Sequence, residues 1–182
     1  MNKLFIINHF LLVSVIILSS VFILGGCNTL VLNDDSETIV LLKNVFNDAQ
    51  YYSYNQEAEL YRVYNSSKSM IGYAFNAEGM GEEVMTSDGG KIPGPIIILV
   101  GLKNDKETIN SIYIIEHHES VLFWRLLITE QYFEQFNNLK ITDAYFKRAG
   151  GKVDAVTGAT LSATSVLNIV REETLNKISL LN

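Results

Sequence analysis

The chain has 182 residues and a formal net charge of −6, from 14 basic and 20 acidic side chains. No stretch concentrates lysine or arginine, so a phosphate-contacting surface is not expected and nucleic acid is excluded as a partner. The chain beyond its N-terminal apolar run is long enough for one domain with its own core.

The N-terminal segment 1–27 has the order of an export signal: a positive charge at Lys3, an apolar run at 4–24, and small residues before Cys27. The Leu-Gly-Gly-Cys sequence resembles a bacterial lipobox, in which cleavage leaves Cys27 as a lipidated N-terminus. The apolar run is also long enough for an uncleaved membrane anchor, which needs about 20 residues. Either way we expect a domain on the extracytoplasmic face of the cell membrane, with 28–36 as its tether.

The first predicted element of the domain is an amphipathic helix. Apolar residues recur at helical spacing between a possible N-cap at Asp35 or Ser36 and an end near Ala49. The next two segments, 58–65 and 70–76, are rich in tyrosine, alternate in polarity and are separated by the turn-forming Ser-Ser-Lys-Ser. This pattern predicts a β-hairpin.

A continuous apolar run at 96–102 predicts a strand that is buried on both faces, and 109–116 is its expected hairpin partner. Aromatic residues at helical spacing predict a helix at 129–136, with Thr129 as a possible cap. A long C-terminal helix follows. Together these elements predict an α+β fold, in which a small antiparallel sheet of hairpins packs with flanking helices in a single domain at 37–182.

The sequence DAVTGATLSAT lies directly before the apolar stripe of the C-terminal helix. A helix start presents unpaired N–H groups and the positive end of the helix dipole, so it suits a phosphate. Gly158 and Ala159 keep the approach to Thr160 open, and further hydroxyl donors are available at Thr157 and Ser162. From the spacing alone, an ordinary polar N-cap is the first interpretation.

The residues from Asp154 to Thr160 satisfy every fixed position of a known motif: Asp, two variable residues, Ser or Thr, then Gly-Ala-Thr. The chain resembles, over about residues 40–172, the FMN-binding domain family found in the flavin-carrying subunits of Rnf complexes and of sodium-pumping NADH:quinone reductase. The resemblance implies FMN attached to Thr160 by a phosphoester bond, installed by an exported, magnesium-dependent FAD:protein FMN transferase. Because a carboxylate repels a nearby phosphate, we expect Asp154 either to present the motif to the transferase through a metal, or to brace the loop by accepting hydrogen bonds from backbone N–H groups.

The chain departs from the family after Glu119, where many members continue with Thr-Pro-Gly-Leu-Gly and this chain has an apolar continuation instead. Glu119 aligns with the family's glutamate, and we expect it either near the flavin or as a solvated carboxylate at a strand end. Phe123 and Trp124 are candidates for stacking on the flavin ring, although their apolar neighbours favour a core position. His117 and His118 would point to opposite faces of a strand, so no metal site is predicted.

These features predict a membrane-tethered flavoprotein that exchanges electrons with a membrane redox complex. Since the flavin supplies the redox chemistry, no catalytic residue is predicted, and the protein is expected to be a redox module more than an enzyme. Two alternatives stay open. One is an FMN-based redox sensor or accessory subunit, and the other is a cofactor-free lipoprotein whose polar loop only begins a helix.

Overall fold

The computed structural model describes residues 31–81, 84–85, 91–92 and 94–181. The predicted export signal or anchor at 1–27, and the first part of the tether, lie outside the described residues. Within the part of the chain that is described, no helix is long and apolar enough to cross a membrane.

A six-stranded antiparallel sheet forms the centre of the domain, in the order β1-β2-β3-β6-β7-β8. A separate two-stranded sheet pairs β4 with β5. The strands are β1 (Tyr51–Asn55), β2 (Leu60–Tyr64), β3 (Met70–Met80), β4 (Val84–Met85), β5 (Lys91–Ile92), β6 (Pro95–Lys103), β7 (Thr108–His117) and β8 (Leu139–Lys140). With its helices, this sheet confirms the predicted α+β fold.

The four predicted strands correspond to β2, β3, β6 and β7, so both hairpins are confirmed. The sheet also has two edge strands that were not predicted, β1 and β8. The short β8 has only two residues, and β1 consists of polar and tyrosine residues without a clear apolar alternation. Neither edge strand therefore carries the period-two pattern that identifies a strand.

Helix α1 runs over Ser36–Lys43, with Asp35 as the predicted cap: its Oδ1 accepts a hydrogen bond from the Thr38 N–H at 2.9 Å. The helix ends six residues before the predicted end near Ala49. The side-chain amide of Asn44 donates to the Leu41 carbonyl at 3.0 Å, which satisfies one of the last helical acceptors and ends the helix. Beyond that point the apolar side chains stay buried although the backbone is no longer helical.

Helix α2 runs over Val121–Thr129, and the predicted helix at 129–136 is wrong. Thr129 is the last residue of α2, not a cap of the next helix. The chain leaves the helix because Gln131 has a φ of 52°, in the left-handed region, and only the short 3₁₀ turn Phe133–Phe136 follows. The apolar sequence of α2 was missed because it lacks a polar face, and a helix is identified by the contrast between two faces.

Two apolar clusters cover the two faces of the sheet. Strand β6 contributes Ile96, Ile98, Val100 and Leu102 to the larger cluster and Leu99 to the smaller cluster under α1, so it is buried on both sides as predicted. The long C-terminal helix, α3 (Thr160–Leu180), packs on the larger cluster. Its approach to β3 is close: a Cβ added to Gly79 would lie 2.5 Å from Ile169. The sheet thus packs closely against the middle of α3.

Candidate functional site

The motif occupies the loop before α3 and the first residue of that helix. Ala159 is the N-cap residue and no side chain caps the helix, so the ordinary N-cap interpretation does not account for the threonines. Gly158 has a φ of +84° and is exposed, which explains a glycine at this position. A helix of 21 residues therefore begins without a side-chain partner for its first N–H groups.

The three hydroxyls that were singled out from the sequence have different surroundings. Thr160 is half-buried, and its hydroxyl makes a long hydrogen bond of 3.3 Å to the Val156 carbonyl oxygen. Thr157 is exposed. Ser162 is buried, and its hydroxyl donates to a carboxylate oxygen of Glu119. Thr160 and Thr157 are thus open to a ligand at the helix start, whereas Ser162 faces inwards.

Two contacts that were not predicted hold Asp154, the first residue of the motif loop, in place. Its carboxylate pairs with Lys147, with an Nζ to Oδ2 distance of 2.6 Å. Its backbone N–H donates to the side-chain oxygen of Gln135 at 2.7 Å, and the Gln135 amide donates back to the Asp154 carbonyl at 3.3 Å. The Asp154 carboxylate thus pairs with a lysine, and the contacts with Gln135 use the Asp154 backbone.

An open groove of about 610 Å³ runs beside the motif. Its floor and walls come from the loop after α2 and from residues 154–157, and carboxylates from both Glu130 and Glu134 line it. The groove gives a large partner or ligand access to the motif from solvent. No sequence pattern indicated it, because its walls come from segments that are distant along the chain.

Glu119 lies between β7 and α2, and it is buried, not solvated. One carboxylate oxygen accepts the hydrogen bond from Ser162. The other lies against Gly81, where an added Cβ would be 2.0 Å from Oε1. The carboxylate is therefore enclosed between the end of β3 and the first turn of α3.

The aromatic and histidine residues around α2 separate into core and surface. Trp124 is buried, as its apolar neighbours predicted, and the His117 ring stacks on it at 3.8 Å between ring centroids with an angle of 15°. Phe123 is 41% exposed and does not belong to the core. Burial, and to a smaller extent the nearby His118, lowers the pKa of His117. His118 is exposed and its Nε2 lies 3.6 Å from a carboxylate oxygen of Glu116.

No group of three or more His, Cys, Asp or Glu side chains in the described part of the chain is arranged to hold a metal ion. The two histidines have separate neighbours: His117 contacts Trp124 and His118 contacts Glu116. Each imidazole thus already has a structural contact of its own.

Residues 92–173 match the model of the FMN-binding domain family. The matched segment is thus similar to the FMN-binding domain family. The match begins before β6 and ends inside α3, so it contains Glu119, α2 and the whole motif. The site described above therefore lies within the matched segment, apart from the contact with Gly81.

One similar protein is a subunit of the ion-translocating oxidoreductase complex of Methanosarcina acetivorans. That subunit is 29% identical to this chain over 108 residues. The aligned region covers 59% of this chain and 52% of the relative, so the chain spans about half the length of that protein. Among solved structures, the crystal structure of Shewanella oneidensis NqrC is similar, with 16% identity and a TM-score of 0.49, covering 80% of this chain and 78% of that chain.

The start of α3, within the matched segment, fits a phosphate group. The first-turn N–H groups have no side-chain cap, and the positive end of the helix dipole favours an anion there. Gly158 is exposed and carries no Cβ, so the approach to Thr160 is open from its side. The hydroxyl of Thr157 is exposed and available as a further donor. These residues match the phosphate of FMN in charge and in hydrogen-bonding capacity.

Proposed function

We propose that Thr160 carries FMN through a phosphoester bond and that the protein transfers electrons on the extracytoplasmic face of a membrane. One observation carries the proposal: Thr160 ends a complete flavin-attachment motif and stands, half-buried, at the uncapped start of a long helix. The match to the FMN-binding domain family, in a segment that contains Thr160, supports FMN as the cofactor.

In the proposed attachment step the Thr160 hydroxyl oxygen attacks the FMN phosphorus of FAD, with a flavin transferase as catalyst. A bond forms between Thr160 Oγ1 and that phosphorus, and the pyrophosphate P–O bond breaks. AMP leaves, and the hydroxyl proton is released. No electron is transferred in this step, so FAD serves only as the donor of the FMN group.

The chain's own residues would hold the attached group at the helix start. The first-turn N–H groups of α3 and the Thr157 hydroxyl can donate to phosphate oxygens, and charge-assisted hydrogen bonds of this kind are strong. Gly158 is exposed and leaves room for the group, whereas Ala159 is buried in the larger cluster and anchors the loop. Asp154 would hold the loop through Lys147 and Gln135. Ser162 and Glu119 would hold the first turn of α3 from inside the fold through their hydrogen bond. When bound, FMN supplies the one- and two-electron redox chemistry.

The relative from Methanosarcina acetivorans is named as part of an ion-translocating oxidoreductase complex. We extend this assignment to the present chain and propose a membrane redox complex as its electron donor or acceptor. The N-terminal export signal with its lipobox, or the uncleaved apolar run, would tether the domain to the membrane. A covalent bond would retain a cofactor that otherwise diffuses away outside the cell.

The attachment is tested by co-expressing the exported protein with a flavin transferase. We expect a denatured gel band with flavin fluorescence and an intact mass increased by one FMN phosphoester. Thr160→Ala removes the acceptor oxygen and should abolish both signals. Thr164→Ala is the matched control, since it removes a hydroxyl one turn later, where Oγ1 donates to the Thr160 carbonyl at 2.7 Å. A dark wild-type band without a flavin adduct, despite an active transferase, would contradict the proposal.

The tether is tested separately. If Cys27 is lipidated, Cys27→Ser should prevent lipid labelling and leave the unprocessed signal on the chain. If the apolar run is instead an uncleaved anchor, the substitution should change neither the mass nor the recovery in the membrane fraction. A soluble wild-type protein in fractionated cells would be incompatible with both forms of the tether.

A further inference from the structure

The segment His118-Glu119 lies in a slot that two glycines make possible. A Cβ on Gly81 would be 2.0 Å from Glu119 Oε1, and a Cβ on Gly94 would be 2.3 Å from the His118 Cβ. The two glycines are joined by a hydrogen bond from the Gly81 N–H to the Gly94 carbonyl at 2.7 Å. A larger residue at Gly94 would displace the backbone at His118, and a larger residue at Gly81 would push the Glu119 carboxylate out of its position.

The opposite wall of the slot is the first turn of α3. Ser162 is 2% exposed, and its hydroxyl donates to Glu119 across 43 residues of sequence. This differs from the other hydroxyls of the same helix: Thr164 and Thr174 each donate to a carbonyl one turn earlier in α3. The Ser162 hydroxyl is thus used to join the helix to another part of the fold.

Ser162 lies two residues after the proposed attachment residue, in the same first turn of α3. A buried carboxylate beside the start of a helix is stabilised by the positive end of the helix dipole. A second contact restrains the same turn, because the buried Tyr132 hydroxyl donates to the Ala163 carbonyl at 2.6 Å. The position of Thr160 is therefore set from inside the fold, on the side away from solvent.

We propose that Glu119 and Ser162 are a positioning pair, which fixes the first turn of α3 so that the Thr160 hydroxyl has the orientation that a flavin transferase requires. The inference rests on the proposed function of Thr160. The pair is assigned a positioning role and no part in forming the bond. Their effect on the transfer is geometric, since a misplacement of about 1 Å at a reacting group can cost roughly 100-fold in rate.

The first test uses the unloaded full chain and needs no flavin. Amide hydrogen exchange is measured for peptides that cover 156–162 in the wild type, Glu119→Ala and Ser162→Ala. Both substitutions should increase the local exchange rate about tenfold or more, because the helix start opens more often. Thr174→Val is the matched control: it removes a buried hydroxyl of α3 that bonds to Val170 at 2.6 Å, and it should leave 156–162 unchanged.

The second test measures the rate of FMN attachment at saturating concentrations of the carrier protein. Glu119→Ala and Ser162→Ala should lower the maximal rate roughly 10- to 100-fold, whereas Thr174→Val should not. Glu119→Gln keeps an oxygen that accepts the Ser162 hydrogen bond and should retain a rate within about threefold of the wild type. Ser162→Ala removes a single hydroxyl, so it tests the pair even if Glu119→Ala does not fold.

Three results would overturn the positioning role: a wild-type rate and unchanged exchange in Ser162→Ala, a Glu119→Gln variant as slow as Glu119→Ala, or an equal loss of rate in Thr174→Val. Failure of the proposed function gives a different result, in which wild-type protein takes up no flavin. The exchange measurement then still decides whether the pair fixes the helix start.

Discussion

Replacing Tyr132 by Phe removes one buried hydrogen bond and little else. The Tyr132 side chain is fully buried, and its hydroxyl donates to the Ala163 carbonyl at 2.6 Å, which links the turn after α2 to α3. That carbonyl lies inside a regular helix and keeps its bond from the N–H four residues later, so it is not left without a partner. We therefore expect a loss of about 1 kcal/mol, the usual net value of such a bond.

Thermal and urea unfolding measure this loss. For a domain of this size, 1 kcal/mol corresponds to a decrease in Tm of roughly 2–4 °C. Tyr145→Phe is the control, since its hydroxyl bonds to Arg171 at the surface and its side chain is 39% exposed. It should change stability by less than about 0.5 kcal/mol. Equal stability of Tyr132→Phe and the wild type, or a loss above about 3 kcal/mol, would refute the reasoning, the latter because packing must then have changed.

The same substitution has a consequence at high pH. Burial raises the pKa of Tyr132 above its ordinary value of 10.0. The unfolded chain therefore loses this proton first, and stability present below pH 10 decreases as the pH rises further. From this group alone the wild type should lose about 1.4 kcal/mol per pH unit above 10, and Tyr132→Phe should lack that part of the decrease. Parallel curves of unfolding free energy against pH would contradict the assigned burial.

Three further changes test the surroundings of the motif. Trp124 is the only tryptophan of the chain and stacks on His117, whose pKa is lowered by burial. Tryptophan fluorescence should therefore titrate with a midpoint below pH 6.5, and His117→Gln should abolish the transition. Gly158→Ala should lower the free energy of unfolding in urea by about 1–2 kcal/mol, because Gly158 has a left-handed φ of +84°. Gly150→Ala is its control: Gly150 has a φ of +87°, and a Cβ there would have no atom within 4 Å, so this variant measures the conformational cost alone. Lys147→Ala should cost less than about 1 kcal/mol, because both partners of its ion pair are 60% exposed, and a larger loss would mean that the pair carries the loop.

The departure from the family after Glu119 has a structural counterpart. Where many members have a proline- and glycine-containing segment, this chain forms α2, whose Trp124 and Leu127 pack into the core. On the same helix, more than half of the surface of each of Val121, Leu122 and Ile128 is exposed to solvent. Its sequence is apolar on both sides, so no periodicity distinguished a helix from a loop or a buried strand.

Local patterns were sufficient to identify elements with an alternating, helical or continuously apolar sequence. Alternation identified β2 and β3, a continuous apolar run identified β6, and helical spacing identified α3. The ends of the helices were predicted less accurately, because they depend on single backbone angles and on side-chain caps. The φ of Gln131 ended the helix that aromatic spacing predicted at 129–136, and the Asn44 amide ended α1 early.

By itself, the sequence determined the fold class, the long last helix and the motif with Thr160 at its end, since each depends on residues that are neighbours along the chain. Only the tertiary structure decided what surrounds that motif. Glu119 and Ser162 are 43 residues apart, and Gln135 and Asp154 are 19 apart. Such pairs come into contact because strands and helices pack across the sheet, and the spacing of residues along the chain does not predict contacts of this kind.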